Sequence, residues 1–215
     1  MKISMQGAFV MAVALAWCGA TAHAQTDVAL SGYRTMTSST TGFGTQQTPH
    51  DSEGGLIELR HIVNPIVGFE AALSFNPANQ SYAPNATNCA LVCGLPPQEV
   101  SGKATSFTGD WIVSFKSGNL RPFALGGVGF VFTVPGANPK VTTPNGTVPG
   151  YSVTTVVRPV FVYGGGIDWS FTKRLGLRVQ FRGNMSKAPD LSDLYTSTTK
   201  YTQVYEPTGG IFYRF

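Results

Sequence analysis

The residues able to do chemistry in this chain are few, and each has a plainer reading beside its chemical one. His50 stands next to Asp51, a pairing that could orient a general base, and His61 lies further along. Nucleophilic catalysis needs that base beside an activated hydroxyl or thiol, yet no serine is placed by any recognisable motif. A His-Asp neighbour pair in a Thr-, Gly- and Pro-rich stretch reads as solvated loop, and His61 sits on the apolar side of its segment. Cys89 and Cys93, in Cys89-Ala90-Leu91-Val92-Cys93, suit a disulfide closing a small loop. Zinc or free thiols are the alternatives, and no histidine or second cysteine pair stands nearby to complete four metal ligands. The glycine runs Gly126-Gly127-Val128-Gly129 and Gly164-Gly165-Gly166 could suggest a phosphate cradle. A cradle requires a strand-to-helix turn, and these runs fall inside strand patterns. No catalytic, cofactor-binding or metal-binding residue is therefore assigned, and the expectation is a protein that is not an enzyme.

The remaining reactive groups are charges set where charges are unexpected: Glu58, Arg60, Glu70, Asp110, Asp168, Arg178 and Arg182 each interrupt an apolar segment. The segments explain them. From Leu175 to Asn184, Leu175, Leu177, Val179 and Phe181 alternate with Gly176, Arg178, Gln180, Arg182 and Asn184. In a strand, that period sends the apolar set to one face and the charged set to the other. Phe107 to Phe115 repeats the pattern with Ile112 as an apolar intruder, and so do Val160 to Phe171 and Val67 to Phe75. Weaker alternation runs through Val28 to Met36, Leu56 to Val63, Leu120 to Thr133 and Thr208 to Phe215. Together these predict eight strands in one domain.

Their connections alternate in length. Asn64-Pro65, Ser117-Gly118-Asn119 and Thr172-Lys173-Arg174 suit tight turns. Between them run long polar stretches, about Thr37 to Gly55, Asn76 to Lys103, Val134 to Thr155 and Lys187 to Tyr205. Four long loops alternating with three short turns put both chain ends on the short-turn side. Met1 to Ala24 reads as a cleavable export signal, with Lys2, an apolar run from Ala8 to Ala16, and Ala22-His23-Ala24 before the mature start at Gln25. A retained anchor is the alternative. A lipoprotein signal at Cys18 is disfavoured because bulky Trp17 precedes it.

Only 12% of residues are charged, against about 25% in an average soluble domain. The net charge of +4 is spread along the chain and gives no nucleic-acid signature. No later segment is a long apolar run, so a membrane role would have to use strands. A soluble β-sandwich or lipocalin-like barrel shares the alternation, with the charged face in water instead. Alternation alone does not separate the two; the loop asymmetry and the chain's end do.

The last eight residues, Thr208-Gly209-Gly210-Ile211-Phe212-Tyr213-Arg214-Phe215, resemble the terminal-strand signal of bacterial outer-membrane proteins. Thr208, Gly210, Tyr213 and Phe215 match its polar, glycine and aromatic positions. With Arg121 to Phe130, Gly164 to Trp169 and Leu175 to Arg182, nearly the whole mature chain (25–215) resembles the small OmpA- and OmpX-type barrels, without a peptidoglycan-binding domain. The resemblance implies an all-β, eight-stranded antiparallel up-and-down transmembrane barrel in the outer membrane. It also implies recognition by the barrel assembly machinery and contact with outer-membrane lipid and lipopolysaccharide.

An eight-stranded lumen is filled by side chains, which moves function to the loops. The expected role is a monomeric, non-enzymatic surface protein, with no cofactor, that displays loops to an extracellular ligand the sequence does not identify and supports the envelope. The alternative is a narrow porin-like channel for ions or small solutes, lined by the seven mid-strand charges.

Overall fold

The computed structural model describes residues 25–85, 97–136, 140–143, 146–149, 154–192, 195 and 198–215. The export segment and the Cys89–Cys93 pair lie outside the described residues.

Alternating segments rich in β-branched and aromatic residues form eight long strands: β1 (Gln25–Arg34), β2 (Glu53–Ile62), β3 (Val67–Pro77), β4 (Gly102–Ser114), β5 (Leu120–Pro135), β6 (Val156–Ser170), β7 (Leu175–Lys187) and β8 (Tyr201–Arg214). Each pairs antiparallel with the next, and β8 returns to β1 from Asp27↔Arg214 to Tyr33↔Thr208, closing the sheet into an up-and-down barrel. Closure leaves no unpaired edge, the condition a strand protein must meet in lipid.

The short turns are fixed by their own side chains. Asn64 Oδ1 accepts from the amides of Ile66 (3.0 Å) and Val67 (2.8 Å), and Thr172 Oγ1 accepts from those of Arg174 (3.2 Å) and Leu175 (2.8 Å). Between β4 and β5, Ser117 and Leu120 exchange backbone hydrogen bonds around Gly118, whose φ of +62° suits the first position of a type II′ hairpin turn.

Several strands extend past the alternation seen in sequence. β8 starts at Tyr201, seven positions before Thr208, because Pro207 looks like a strand breaker but is placed where it does no harm. Its missing N–H falls one residue beyond the end of the β1 ladder, and Met36 and Thr37 then resume pairing with Tyr205 and Val204.

The two faces separate cleanly on the outside. Val128, Val179 and Trp111 are 66%, 65% and 61% exposed, within a belt that also holds Phe69, Phe107, Phe130, Phe161, Ile167, Phe181 and Ile211. The inside is less uniformly polar than the alternation implied. Ile112, Phe123, Leu125, Val160 and Val162 form a buried apolar patch on the inner wall of β4–β6, and Leu56, Ile62 and Phe212 also turn inward. A narrow lumen closed to water admits apolar side chains as readily as a core does.

The long loops are ordered where described. Thr40–Gly42, Thr45–Pro49, Gln80–Pro84 and Gln98–Val100 form a four-stranded antiparallel sheet at the long-loop end, and Lys140–Thr143 pairs with Gly146–Pro149. Thr- and Gln-rich strands with polar residues on both faces show no alternation of hydropathy, so they passed as plain loop in the sequence.

Candidate functional site

All seven charges that interrupt the strands converge in the lumen. Arg60 (β2) lies 2.7 Å from Glu70 and 3.0 Å from Asp168. Arg178 (β7) reaches Asp168 and Asp27 at 2.8 Å each, with Glu58 and Glu70 at 3.6 Å. Arg182, two inward positions higher, reaches Asp110 at 2.9 Å and Glu70 at 3.1 Å, and donates to Thr108 Oγ1 at 3.1 Å. Gln180 donates to Glu58 at 2.6 Å. Arg60, Arg178, Glu58 and Glu70 have almost no solvent contact. Guanidinium forks suit this arrangement, because each presents several donors in one plane and one arginine can bridge two or three carboxylates.

The apolar intruders complete the plug. The Phe123 ring lies 4.1 Å under the Arg60 guanidinium and 5.8 Å from that of Arg178, and the Phe212 ring lies 5.5 Å from Arg178 and 5.1 Å from Arg214. Cations over aromatic faces gain attraction when water is excluded. Small residues make the room: a Cβ on Gly164 would collide with the carbonyl oxygen of Phe181, and one on Gly176 with the Phe212 ring.

Sequence reasoning missed five more inward-facing ionic groups: Asp27, Arg121, Arg158, Glu206 and Arg214. With them, among the described residues six arginines (60, 121, 158, 178, 182, 214) and six carboxylates (27, 58, 70, 110, 168, 206) take inward positions. Each missed group stands at a strand start, beside a proline or at the chain's last turn, where alternation is shortest. The parity was nonetheless readable, since each lies an even number of positions from an inward residue of its strand.

The histidines are separate from this layer and from each other. His61 faces outward, with Nδ1 2.9 Å from Thr26 Oγ1. His50 is exposed in the first long loop, and its neighbour Asp51 lies 3.7 Å from Arg34. Among the described residues no group of three or more His, Cys, Asp or Glu side chains is arranged to hold a metal ion. Of the chain-end residues, Thr208 and Gly210 face the lumen, while Tyr213 and Phe215 face outward with rings 5.2 Å apart.

Above the plug, the loop sheet packs through its own small core of Tyr82, Val100, Leu191 and Tyr195, with Val156 against it. Gln47 Nε2 lies within hydrogen-bond reach of Gln80 Oε1, the Tyr82 hydroxyl at 3.2 Å and the Pro189 carbonyl at 3.1 Å, its two N–H groups shared among them, tying the first, second and fourth long loops together. Burial pushes the Tyr82 and Tyr195 phenols above their ordinary value, so both stay neutral at any pH an envelope meets. Replacing Tyr82 with alanine is expected to loosen this layer alone. Limited proteolysis should nick the long loops faster, with heat-modifiable gel migration of the barrel unchanged.

A closed antiparallel barrel with an apolar outer belt, an ionic interior and long connections at one end is the outer-membrane type of β-barrel. Solved structures agree. The chain is similar to Neisserial surface protein A (12% identity, 88% of this chain and 97% of that one, TM-score 0.54). It is similar also to the outer membrane protein OprG of Pseudomonas aeruginosa (12%, 90% and 96%, TM-score 0.55) and to the outer membrane protein AlkL in lipid bilayers (12%, 92% and 92%, TM-score 0.53). At these identities the likeness is one of fold. No family model matches the chain, and no curated protein matches it in sequence.

Proposed function

We propose that this chain is a non-enzymatic protein of the bacterial outer membrane, exported by its N-terminal signal, whose barrel is plugged and whose loop layer is the working surface. The observation that carries the reading is the lumen itself: Arg60 and Arg178 are fully buried and bridge carboxylates from β1, β2, β3 and β6, across the path a solute would follow. With these side chains buried and bridged across an eight-stranded lumen, the interior is filled rather than open. A rigid, closed barrel carrying an ordered four-stranded cap suits display of a surface to an extracellular ligand, with envelope support as a second consequence. Lipid and lipopolysaccharide around the belt, the barrel assembly machinery acting on Thr208, Gly210, Tyr213 and Phe215, and a monomeric state belong to the same reading.

Two measurements test it. The purified protein in a planar bilayer is expected to give no steady ohmic conductance; a stable pore would replace this reading with a narrow channel. A deletion strain is expected to lose attachment to a cell, matrix or protein ligand, and unchanged attachment together with unchanged envelope permeability would overturn the display role.

A further inference from the structure

Between the ionic plug and the loop sheet lies a cavity of about 110 Å³, walled by the upper barrel and by the first, second and fourth long loops. Exposed His50 and Asn79, joined by a backbone hydrogen bond of 2.9 Å, stand at its edge. Three side-chain atoms lining it are buried without a hydrogen-bond partner: Gln47 Oε1 from the loop sheet, Arg158 Nε from β6 and Asn184 Oδ1 from β7. Gln47 is 1% exposed, so its carbonyl is cut off from bulk water. Unmet polar atoms from three separate elements around one space mark a site built for a polar occupant.

Charge narrows the occupant. Arg158, at an inward position of β6, lines the cavity and has no carboxylate within ion-pair distance among the described residues. The one lining carboxylate, Glu206, stands opposite Arg182 in the β7–β8 register, hydrogen-bonds the Asn184 side chain and feels the Arg182 charge without an ion pair inside 4 Å. The site therefore asks for one negative charge beside Arg158, and for hydroxyl donors to Gln47 and Asn184. Apart from the exposed His50 at its edge, no aromatic ring lines it, so a nucleobase would find no buried stacking platform. At about 10–15 Å³ per water-sized group, the space takes one small ring and no more.

We infer that this vestibule binds an acidic sugar: a single ring bearing one carboxylate, either free or as the terminal unit of a surface glycan. The inference rests on the reading of the loop layer as the working surface and names the chemistry it would recognise.

The test uses the purified barrel in neutral detergent, titrated calorimetrically with glucuronate, glucose and a glucuronate-terminated disaccharide. Glucuronate should bind and glucose should bind at least about tenfold more weakly. Arg158→Met should remove that preference with heat-modifiable migration unchanged. Asn184→Leu, which occupies the cavity without altering its charge, should weaken glucuronate to a similar degree and serves if Arg158→Met fails to fold. Disaccharide binding assigns the site to a glycan end; binding of the monosaccharide alone assigns it to a free solute. Equal binding of glucose and glucuronate, or binding of neither, overturns the inference and leaves the cavity to water. Attachment that survives in Arg158→Met cells while glucuronate binding is lost would separate this site from the display role, which then stands without it.

Discussion

Arg178→Met is expected to lower the unfolding free energy of the barrel by about 3–5 kcal/mol, the usual loss when one member of a buried ionic group is removed. The guanidinium it deletes touches Asp168 and Asp27 at 2.8 Å and stands 3.6 Å from Glu58 and Glu70. Asp168, Glu58 and Glu70 would keep only Arg60 and Arg182 as ion-pair partners, Asp27 would keep none, and all four are too buried to reach water. Methionine preserves most of the volume between the Phe123 and Phe212 rings, so the loss would come from charge and hydrogen bonding more than from a void. Urea titration in lipid vesicles, followed by heat-modifiable migration, measures it. Arg34→Met is the control: its partner Asp51 is 3.7 Å away and both side chains are about half exposed, so a change within about 0.5 kcal/mol is expected. Equal effects of the two substitutions would show that the plug is hydrated and its pairs screened.

Val128→Arg probes the other face. Val128 lies near the middle of β5, 66% exposed, opposite Gly109 on β4 and Phe161 on β6. In a bilayer, arginine at that depth is expected to destabilise by about 2–4 kcal/mol, and Tyr201→Arg at the loop end of β8 by about 0–1 kcal/mol. In water neither change would matter, and Val128→Arg would improve solubility. The depth gradient thus reads directly which solvent the belt meets. A Val128→Arg barrel as stable as the parent in vesicles would remove hydrocarbon from the outer face.

How far the fold could be read depended on how strongly the two faces of a strand differ. β7 was transparent because Arg178, Gln180 and Arg182 alternate with Leu177, Val179 and Phe181, and a one-residue slip would bury every leucine among charges. β5 was weaker because Phe123 and Leu125 face the lumen while Phe130 and Phe132 face outward, so apolar residues occupy both parities. The convergence of Arg60, Arg178 and Arg182 on shared carboxylates lay beyond the sequence. Parity fixes which way a side chain points, whereas its height in the barrel depends on strand stagger, and Asp27 and Arg178 meet across 151 positions of chain. The loop sheet was illegible for the opposite reason: its strands are polar on both sides, and its order comes from Tyr82, Leu191 and the amide of Gln47.

The unequal strand lengths have a consequence for the barrel's outline. β5 and β6 run for 16 and 15 residues, β1 and β2 for 10 each, and the short turns level them all at one end. At about 3.3 Å per residue and a tilt near 40°, the shorter pair just crosses an apolar band of about 25 Å, while the longer pair stands roughly 15 Å prouder. The rim is therefore a slope, with the four-stranded cap roofing its low flank. An arriving macromolecule would meet the tall β5–β6 hairpin first and be turned towards the sheltered side, so shortening that hairpin should alter how quickly large partners arrive more than how firmly they stay.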